Sequence, residues 1–430
     1  MKKALVLSGG GTRGSYQNGV IHAMRRLGRD DWNLVTGTSI GALNAALVVQ
    51  KDYRVMDSLW HNLTQEQIVN GAFSVDMDLN DMFSERSSLF PFFRDFIQDR
   101  GIDISPMKNY IASLYNPETF FRSEVDFGLV TCRAHNREPV YVNKEMMRDH
   151  GVDWLIASAS AYPAFPVHHF EEGNFIDGGY YDNLPIDEAL QMGADEIVAI
   201  DLSGNPRHPN FFNRTGITYI FPQVETGSFL SFDRKTINRL ESLGYYDAMK
   251  AFGIFDGVRY TFARMADLPS WWHGFMRDIM ILEGRIQRAT EITARLRSSQ
   301  IITDRIASIQ HQKVVDDRRM FFGFMDYLMS MCGCEVERVW TFREARNTIL
   351  AEFAPCMEEG YEYYPAAITA EKILAYTSTL DSKGVISKMV HQLFYPDHLF
   401  LAEGVWLTVY PFEKAAALFV RELMNELKGE

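Results

Sequence analysis

A chain of 430 residues with 47% hydrophobic and 23% charged side chains is long enough for two or three domains, or for one large α/β domain with an extension. That composition excludes disordered, collagenous and fibrous classes. Lys and Arg total 43 against 56 Asp and Glu, a net charge of −13, which argues against nucleic acid as a partner bound through counterion release.

The N-terminus carries Lys2 and Lys3, but its apolar run Ala4–Leu7 is shorter than a signal-peptide core and reads as a strand. No stretch approaches the roughly 18 uncharged apolar residues of a membrane span, so no transmembrane segment is expected. Cytoplasmic residence is the expectation, with peripheral contact at a membrane surface left open. Four continuous apolar runs, Ala4–Leu7, Leu34–Val35, Phe127–Val130 and Ile197–Ile200, predict strands covered on both faces of a mostly parallel sheet. Between the first two, Tyr16, Val20, Met24 and Leu27 fall at helical spacing, and Ile40 to Val49 forms a second helical segment. From Lys51 to about Glu124 the pattern loosens, with the aromatic cluster Phe90, Phe92, Phe93 and Phe96, and reads as an insertion above the sheet. Pro185 suits the first turn of a helix over Ile186 to Met192, Gly193 ends it, and Glu196 to Asp201 supplies a strand. Beyond about Gly257 the strand signal fades, and Ile286, Ala289, Ile292 and Leu296 step at helical spacing. The expected organisation is an α/β domain over residues 1–255 and a mainly helical region over 256–430. Four cysteines, Cys132, Cys332, Cys334 and Cys356, are too few for a disulfide framework. Cys332-Gly-Cys334 also lacks the two-residue spacer of zinc and redox motifs, and no residue set calls for a metal or a cofactor.

The sharpest chemical feature is Gly37-Thr38-Ser39-Ile40-Gly41, set between an Asn33–Thr36 strand and the Ile40–Val49 helix. A serine on such a turn stands clear of the sheet, needs small neighbours, and has a helix N-terminus behind it that favours developing negative charge. A second feature, Ser8-Gly9-Gly10-Gly11-Thr12-Arg13-Gly14, follows the first strand. Gly9, Gly11 and Gly14 fit the spacing of a dinucleotide loop, but the acids Asp30 and Asp31 precede the second strand, where a ribose-binding acid belongs at its end. The alternative is an oxyanion hole facing Ser39, with Arg13 anchoring the loop or assisting charge. Asp177-Gly178-Gly179 is by itself a turn signal. A serine nucleophile needs a base, and with eleven histidines in the chain a Ser-His-Asp triad stays open at this level.

The glycine loop at 9–14, Gly-Thr-Ser-Ile-Gly at 37–41 and Asp-Gly-Gly at 177–179, in that order, resemble the three signatures of the patatin-like phospholipases. Ala157 through Pro166, Asn183-Leu184-Pro185 and Phe232-Asp233 through Ala248 extend the resemblance over roughly residues 1–252. It implies a patatin-like three-layer α/β domain with a mostly parallel central sheet, followed by a largely helical C-terminal extension to which the resemblance does not reach. It further implies Ser39 as nucleophile and Asp177 as base, without a catalytic histidine. The oxyanion hole falls on the loop of Gly9, Gly10, Gly11, Arg13 and Gly14, centred on the N–H groups around Gly10 and Gly11, with Gly37, Gly41, Gly178 and Gly179 as supporting positions.

The function expected is a lipid acyl hydrolase, a serine esterase or phospholipase acting on a lipid or small ester through an acyl-enzyme. The competing class is a noncatalytic lipid-sensing or partner-binding protein on the same fold; a nucleotide-binding oxidoreductase is disfavoured by the misplaced acids. Some of the phenylalanines from Phe90 to Phe96 are expected to line the acyl pocket. Trp271-Trp272, ahead of Arg285, Arg288, Arg295 and Arg297, suit either an interfacial lid or, more simply, a helix packed through its apolar stripe.

Overall fold

Eight strands build the central sheet: β1 (Lys3–Leu7), β2 (Leu34–Thr38), β3 (Asp126–Arg133), β4 (Pro139–Asn143), β5 (His168–Phe170), β6 (Gly173–Asp177), β7 (Glu196–Ile200) and β8 (Ile217–Ile220). The computed structural model describes residues 1–69, 103–211, 214–290, 301–312, 315–361, 380–398 and 409–429. The strand order is β5-β6-β3-β2-β1-β7-β8, with β4 also paired to β3. From β3 to β8 all pairings are parallel, whereas β4, β5 and β6 join by antiparallel pairings.

The four apolar runs fall on β1, β2, β3 and β7, all in the parallel part, where helices cover both faces and every position can be apolar. Ala4, Val6, Leu34, Ile197 and Ala199 share one face and pack with Ile186 and Ala189 of the helix Ile186–Gln191. The alternate residues Leu5, Leu7 and Val35 point the other way and are fully buried as well; helix α2 (Ile40–Gln50) packs across β1, β2 and β3. Residues 41–50 of α2 are buried all round, as expected of a helix without a polar face. Two boundaries differ from the sequence reading. Strand β2 runs on past Thr36 to Thr38, so the elbow is tighter than expected, and Pro185 precedes its helix as the cap.

Helix α1 (Gly14–Arg26) lies against the helix Arg234–Ala251. The approach is close enough that a Cβ on Gly19 would sit 1.9 Å from the Glu241 carbonyl oxygen, and one on Gly244 would sit 2.0 Å from that of Tyr16. The Tyr16 hydroxyl donates to Asp247 at 2.7 Å. Helix α3 (Tyr53–Asn62), capped by the Asp52 carboxylate accepting the Val55 N–H, touches both of these helices.

The chain divides into two compact units, Met1–Phe252 and Gly253–Glu430. The second is mainly helical, with helices Trp272–Thr290, Ile301–Ile309, Asp317–Met331, Phe342–Phe353, Ser382–Phe394 and Pro411–Gly429. A three-stranded sheet of β9 (Phe255–Asp256), β10 (Thr261–Ala263) and β11 (Val339–Trp340) was not foreseen, because strands of two or three residues leave no periodicity to read. Trp272 is fully buried and its ring contacts those of Phe275, Phe321 and Phe419; Trp271 also reaches Phe419. Trp272 is therefore core of the helical unit and the half-buried Trp271 packs beside it, which favours the packing reading over an interfacial lid. The cluster of Phe90, Phe92, Phe93 and Phe96, together with Ile292, Arg295, Leu296 and Arg297, lies outside the described residues.

Candidate active site

Sheet register explains why Ser39 and Asp177 meet. Along β3, Gly128 to Cys132 pair with β4, so β4 occupies one edge. On the other edge β2 pairs as far as Thr38 opposite Val130, and β6 takes over with Asp177 opposite Thr131. Strands β2 and β6 thus meet end to end, running toward each other, and the residue after the end of β2 is brought to the last residue of β6.

Ser39 has φ 56° and ψ −128°, a left-handed conformation that costs a non-glycine residue about 1–3 kcal/mol and persists only where its surroundings impose it. Helix α2 starts immediately behind it, so its terminal dipole favours negative charge there. The strain is held by Ser158, in the Ala157–Pro166 stretch. The Ser39 N–H donates to Ser158 Oγ at 2.8 Å, and Ser158 Oγ donates to the Val130 carbonyl at 2.7 Å. Two residues further on, the Ser160 carbonyl accepts the Asp177 N–H at 2.8 Å. One short segment therefore fixes the backbones of both residues. Ser158 and Ser160 lack any recognisable spacing relative to Ser39, and only their match to the family pattern flagged them.

The glycine loop abuts the serine: a Cβ on Gly9 would lie 2.9 Å from Ser39 Cβ and 2.5 Å from Asn183 Oδ1. Asn183 clamps Gly9, its carbonyl accepting the Gly9 N–H and its side-chain amide donating to the Gly9 carbonyl, both at 3.1 Å. Thr12 N–H donates to the Phe229 carbonyl at 2.8 Å. Arg13 holds the loop through Nε and Nη2, which donate to the Gly227 carbonyl at 3.0 and 2.6 Å, and its own N–H returns to Gly10. Gly14 N–H is used within the turn, on the carbonyls of Gly11 and Thr12. Of the loop predicted to form an oxyanion hole, Gly9, Arg13 and Gly14 have their N–H groups engaged, while those of Gly10 and Gly11 donate to no group among the described residues. Gly11 needs its glycine, with φ 56° and a Phe229 carbonyl oxygen 2.1 Å from where a Cβ would stand. The supporting glycines sit at close approaches too: Gly37 against the Gly41 carbonyl, Gly41 against that of Leu7, and Gly178 against that of Val130.

Asp177 is 1% exposed. Its Oδ1 accepts the Gly179 N–H at 2.7 Å, and Oδ2 is buried without a hydrogen-bond partner. Burial pushes its pKa from 3.8 up to about 7, against the opposing pull of the Gly179 N–H, the Ser39 hydroxyl and the positive charge of Arg207. The serine is thus near enough to favour the ionised carboxylate, although Oδ2 remains unbonded; such contacts commonly tighten only around substrate. The neighbouring histidines are committed elsewhere, His168 Nε2 to Asp153 at 2.9 Å and His169 Nδ1 to Asn174 at 2.6 Å. In front of Ser39 lies a cavity of about 80 Å³, walled by apolar side chains that include Leu43, Leu59, Trp60, Ile111 and Phe165. Among the described residues no helix is long and apolar enough to cross a membrane.

The site thus joins a strained serine on a strand–helix elbow, a buried carboxylate, and an adjacent loop whose Gly10 and Gly11 N–H groups donate to no group among the described residues. Residues 5–190 match the family model of the patatin-like phospholipases. "Patatin-like phospholipase domain-containing protein 7" of Rattus norvegicus is 29% identical over 46% of this chain and 13% of its own length. A lysophospholipase of Scheffersomyces stipitis is 28% identical over 49% of this chain and 12% of its own. The match to these relatives thus spans about an eighth of their length. Among solved structures, VipD from Legionella pneumophila aligns over 98% of this chain and 91% of its own at 12% identity, with a TM-score of 0.38.

Proposed function

We propose that the chain is a lipid acyl hydrolase that cleaves carboxylic esters through a Ser39–Asp177 dyad. The observation that carries this reading is the register of β3, which brings an unbonded buried carboxylate oxygen to a serine held in a strained elbow. In the reaction Asp177 takes the proton of Ser39 Oγ as that oxygen bonds to the ester carbonyl carbon. The N–H groups of Gly10 and Gly11 receive the negative charge that develops on the carbonyl oxygen. Collapse breaks the ester bond, the departing alcohol takes the proton from Asp177, and the acyl group stays on Ser39. Water then repeats the sequence to release the fatty acid and restore the serine. A carboxylate of ordinary pKa is a poor base for an alcohol; raising it to about 7 brings it to the range in which a general base works at neutral pH. The apolar cavity suits the first carbons of an acyl chain, and the names of the relatives support a glycerophospholipid or lysophospholipid as the ester.

The test is covalent labelling of purified protein with a fluorophosphonate probe at pH 8, the adduct located by mass spectrometry. The expected result is one adduct on Ser39, lost in Ser39→Ala and strongly slowed in Asp177→Asn. An unlabelled wild-type protein would return the chain to the noncatalytic lipid-binding class, and full labelling of Ser39→Ala would place the nucleophile elsewhere.

A further inference from the structure

We propose that the first unit binds a zinc-type divalent ion through His22, Asp57 and Glu241, with His61 as a fourth donor. These residues come from three helices, α1, α3 and Arg234–Ala251, which the glycine-mediated approach of α1 to its neighbour brings together. One ligand atom from each of His22, Asp57 and Glu241 lies within 4.8 Å of the others. His22 Nε2 is 2.6 Å from Asp57 Oδ1 and 3.7 Å from Glu241 Oε1, and His61 Nε2 is 3.7 Å from Glu241 Oε2. Around a tetrahedral zinc with bonds of about 2.0–2.1 Å, ligand atoms stand roughly 3.4 Å apart. The His22–Glu241 pair, at 3.7 Å, is already near that spacing, the 2.6 Å pair opens by less than 1 Å when a metal ion replaces the proton it shares, and His61 faces the other oxygen of Glu241.

The groups around these four side chains are those that prepare a metal site. His61 Nδ1 is 2.8 Å from the Asp57 carbonyl oxygen, a contact that fixes the ring with Nε2 turned toward Glu241. Asn18 Nδ2 donates to Glu241 Oε1 at 3.0 Å and more weakly to Asp57 Oδ1 at 3.4 Å, orienting both carboxylates as outer partners of metal ligands do. Two carboxylates and two neutral imidazoles carry a charge that a divalent ion balances, and imidazole donors select zinc and its neighbours over magnesium or calcium. The four side chains are partly exposed, which leaves an entry path. The ion would not take part in acyl transfer. It would clip together the helix that follows the glycine loop, the helix that supplies Leu59 and Trp60 to the cavity, and the helix that follows Phe232.

The experiment is calorimetric titration of the full chain, tag-free and stripped with a chelator, with zinc chloride, together with Tm measured with and without zinc. The expected result is one site of micromolar or tighter affinity and a zinc-dependent rise in Tm. Cobalt in place of zinc should give a spectrum without a thiolate charge-transfer band, which separates this set from Cys332 and Cys334. His22→Gln with Glu241→Gln should abolish the site, and His61→Gln, at an exposed position, should weaken it about tenfold or more even if the double variant fails to fold. Absence of saturable binding, binding unchanged in His61→Gln and the double variant, or a thiolate band with cobalt would each overturn the assignment.

Discussion

Replacing Asp177 by Asn should abolish hydrolysis and stabilise the fold, and the second effect has a definite pH signature. Asparagine keeps the shape and the acceptor for the Gly179 N–H, but it cannot take a proton from Ser39, so kcat should fall about 10³-fold or more. On the stability side the acid is buried and its pKa is raised from 3.8 to about 7 in the folded chain. Between those values the folded state holds a proton that the unfolded state has released, so wild-type stability falls as pH rises through that window. At 1.36 kcal/mol per pH unit the full loss above pH 7 is about 4 kcal/mol, of which less than half is already present at pH 5. The variant lacks this dependence. Its stability advantage over wild type should therefore be larger at pH 8 than at pH 5 by about 2–3 kcal/mol, whatever constant offset the substitution brings. Urea unfolding at the two pH values, followed by hydrogen exchange of peptides from β3 and β6, reads the first unit by itself. An identical gap between the two proteins at pH 5 and pH 8 would refute the buried ionisation. The same group predicts that wild-type kcat/KM for a soluble short-chain ester rises with a one-proton slope to a plateau above about pH 7.

Other substitutions test the remaining parts of the site. Ser39→Gly should be as inactive as Ser39→Ala yet more stable by about 1 kcal/mol, because glycine accepts φ 56° without strain; equal denaturation midpoints would argue that the elbow stores none. Gly10→Val, whose Cβ would stand 2.5 Å from Leu202 Cδ1, should lower kcat roughly 10²–10³-fold with a smaller change in KM, and near-normal turnover would free the loop from an oxyanion role. Ile111→Phe, in the wall of the cavity, should move the preferred ester toward shorter chains, and an unchanged chain-length profile would remove the cavity from substrate binding. Trp272→Ala should destabilise the helical unit by about 3–5 kcal/mol, seen as a drop in Tm, whereas loss of vesicle binding with an unchanged Tm would revive an interfacial role.

The parallel half of the sheet was legible because strands buried on both faces have no choice but to be apolar throughout, as in Ala4–Leu7 and Ile197–Ile200. Strands β4, β5, β6 and β8 escaped the same reading. They are three to five residues long, and polar residues such as His169 and Asn174 interrupt them, so neither period-2 alternation nor a continuous run stands out. Ser39 announced itself locally, since an elbow needs glycine on both sides. Asp177 did not: Asp-Gly-Gly reads as a turn, and its tie to Ser39 is a matter of which residue of β3 each strand end faces. Family resemblance supplied that pairing where spacing was silent. The cluster of His22, Asp57, His61 and Glu241 was invisible for the same reason, being a product of helix packing rather than of any run of sequence.

Because Val130 pairs with Thr38, the residue before the serine, and Thr131 pairs with Asp177, β3 acts as a ruler for the proposed chemistry. One extra residue inserted between them, touching neither Ser39 nor Asp177, would displace the carboxylate by about 3.3 Å and reverse the face on which it stands. A folding intermediate with only the parallel strands in place would carry the serine but neither the Ser158 contact that holds its elbow nor the base. Ester hydrolysis by the proposed dyad would thus report on assembly, silent until the antiparallel edge has docked in register.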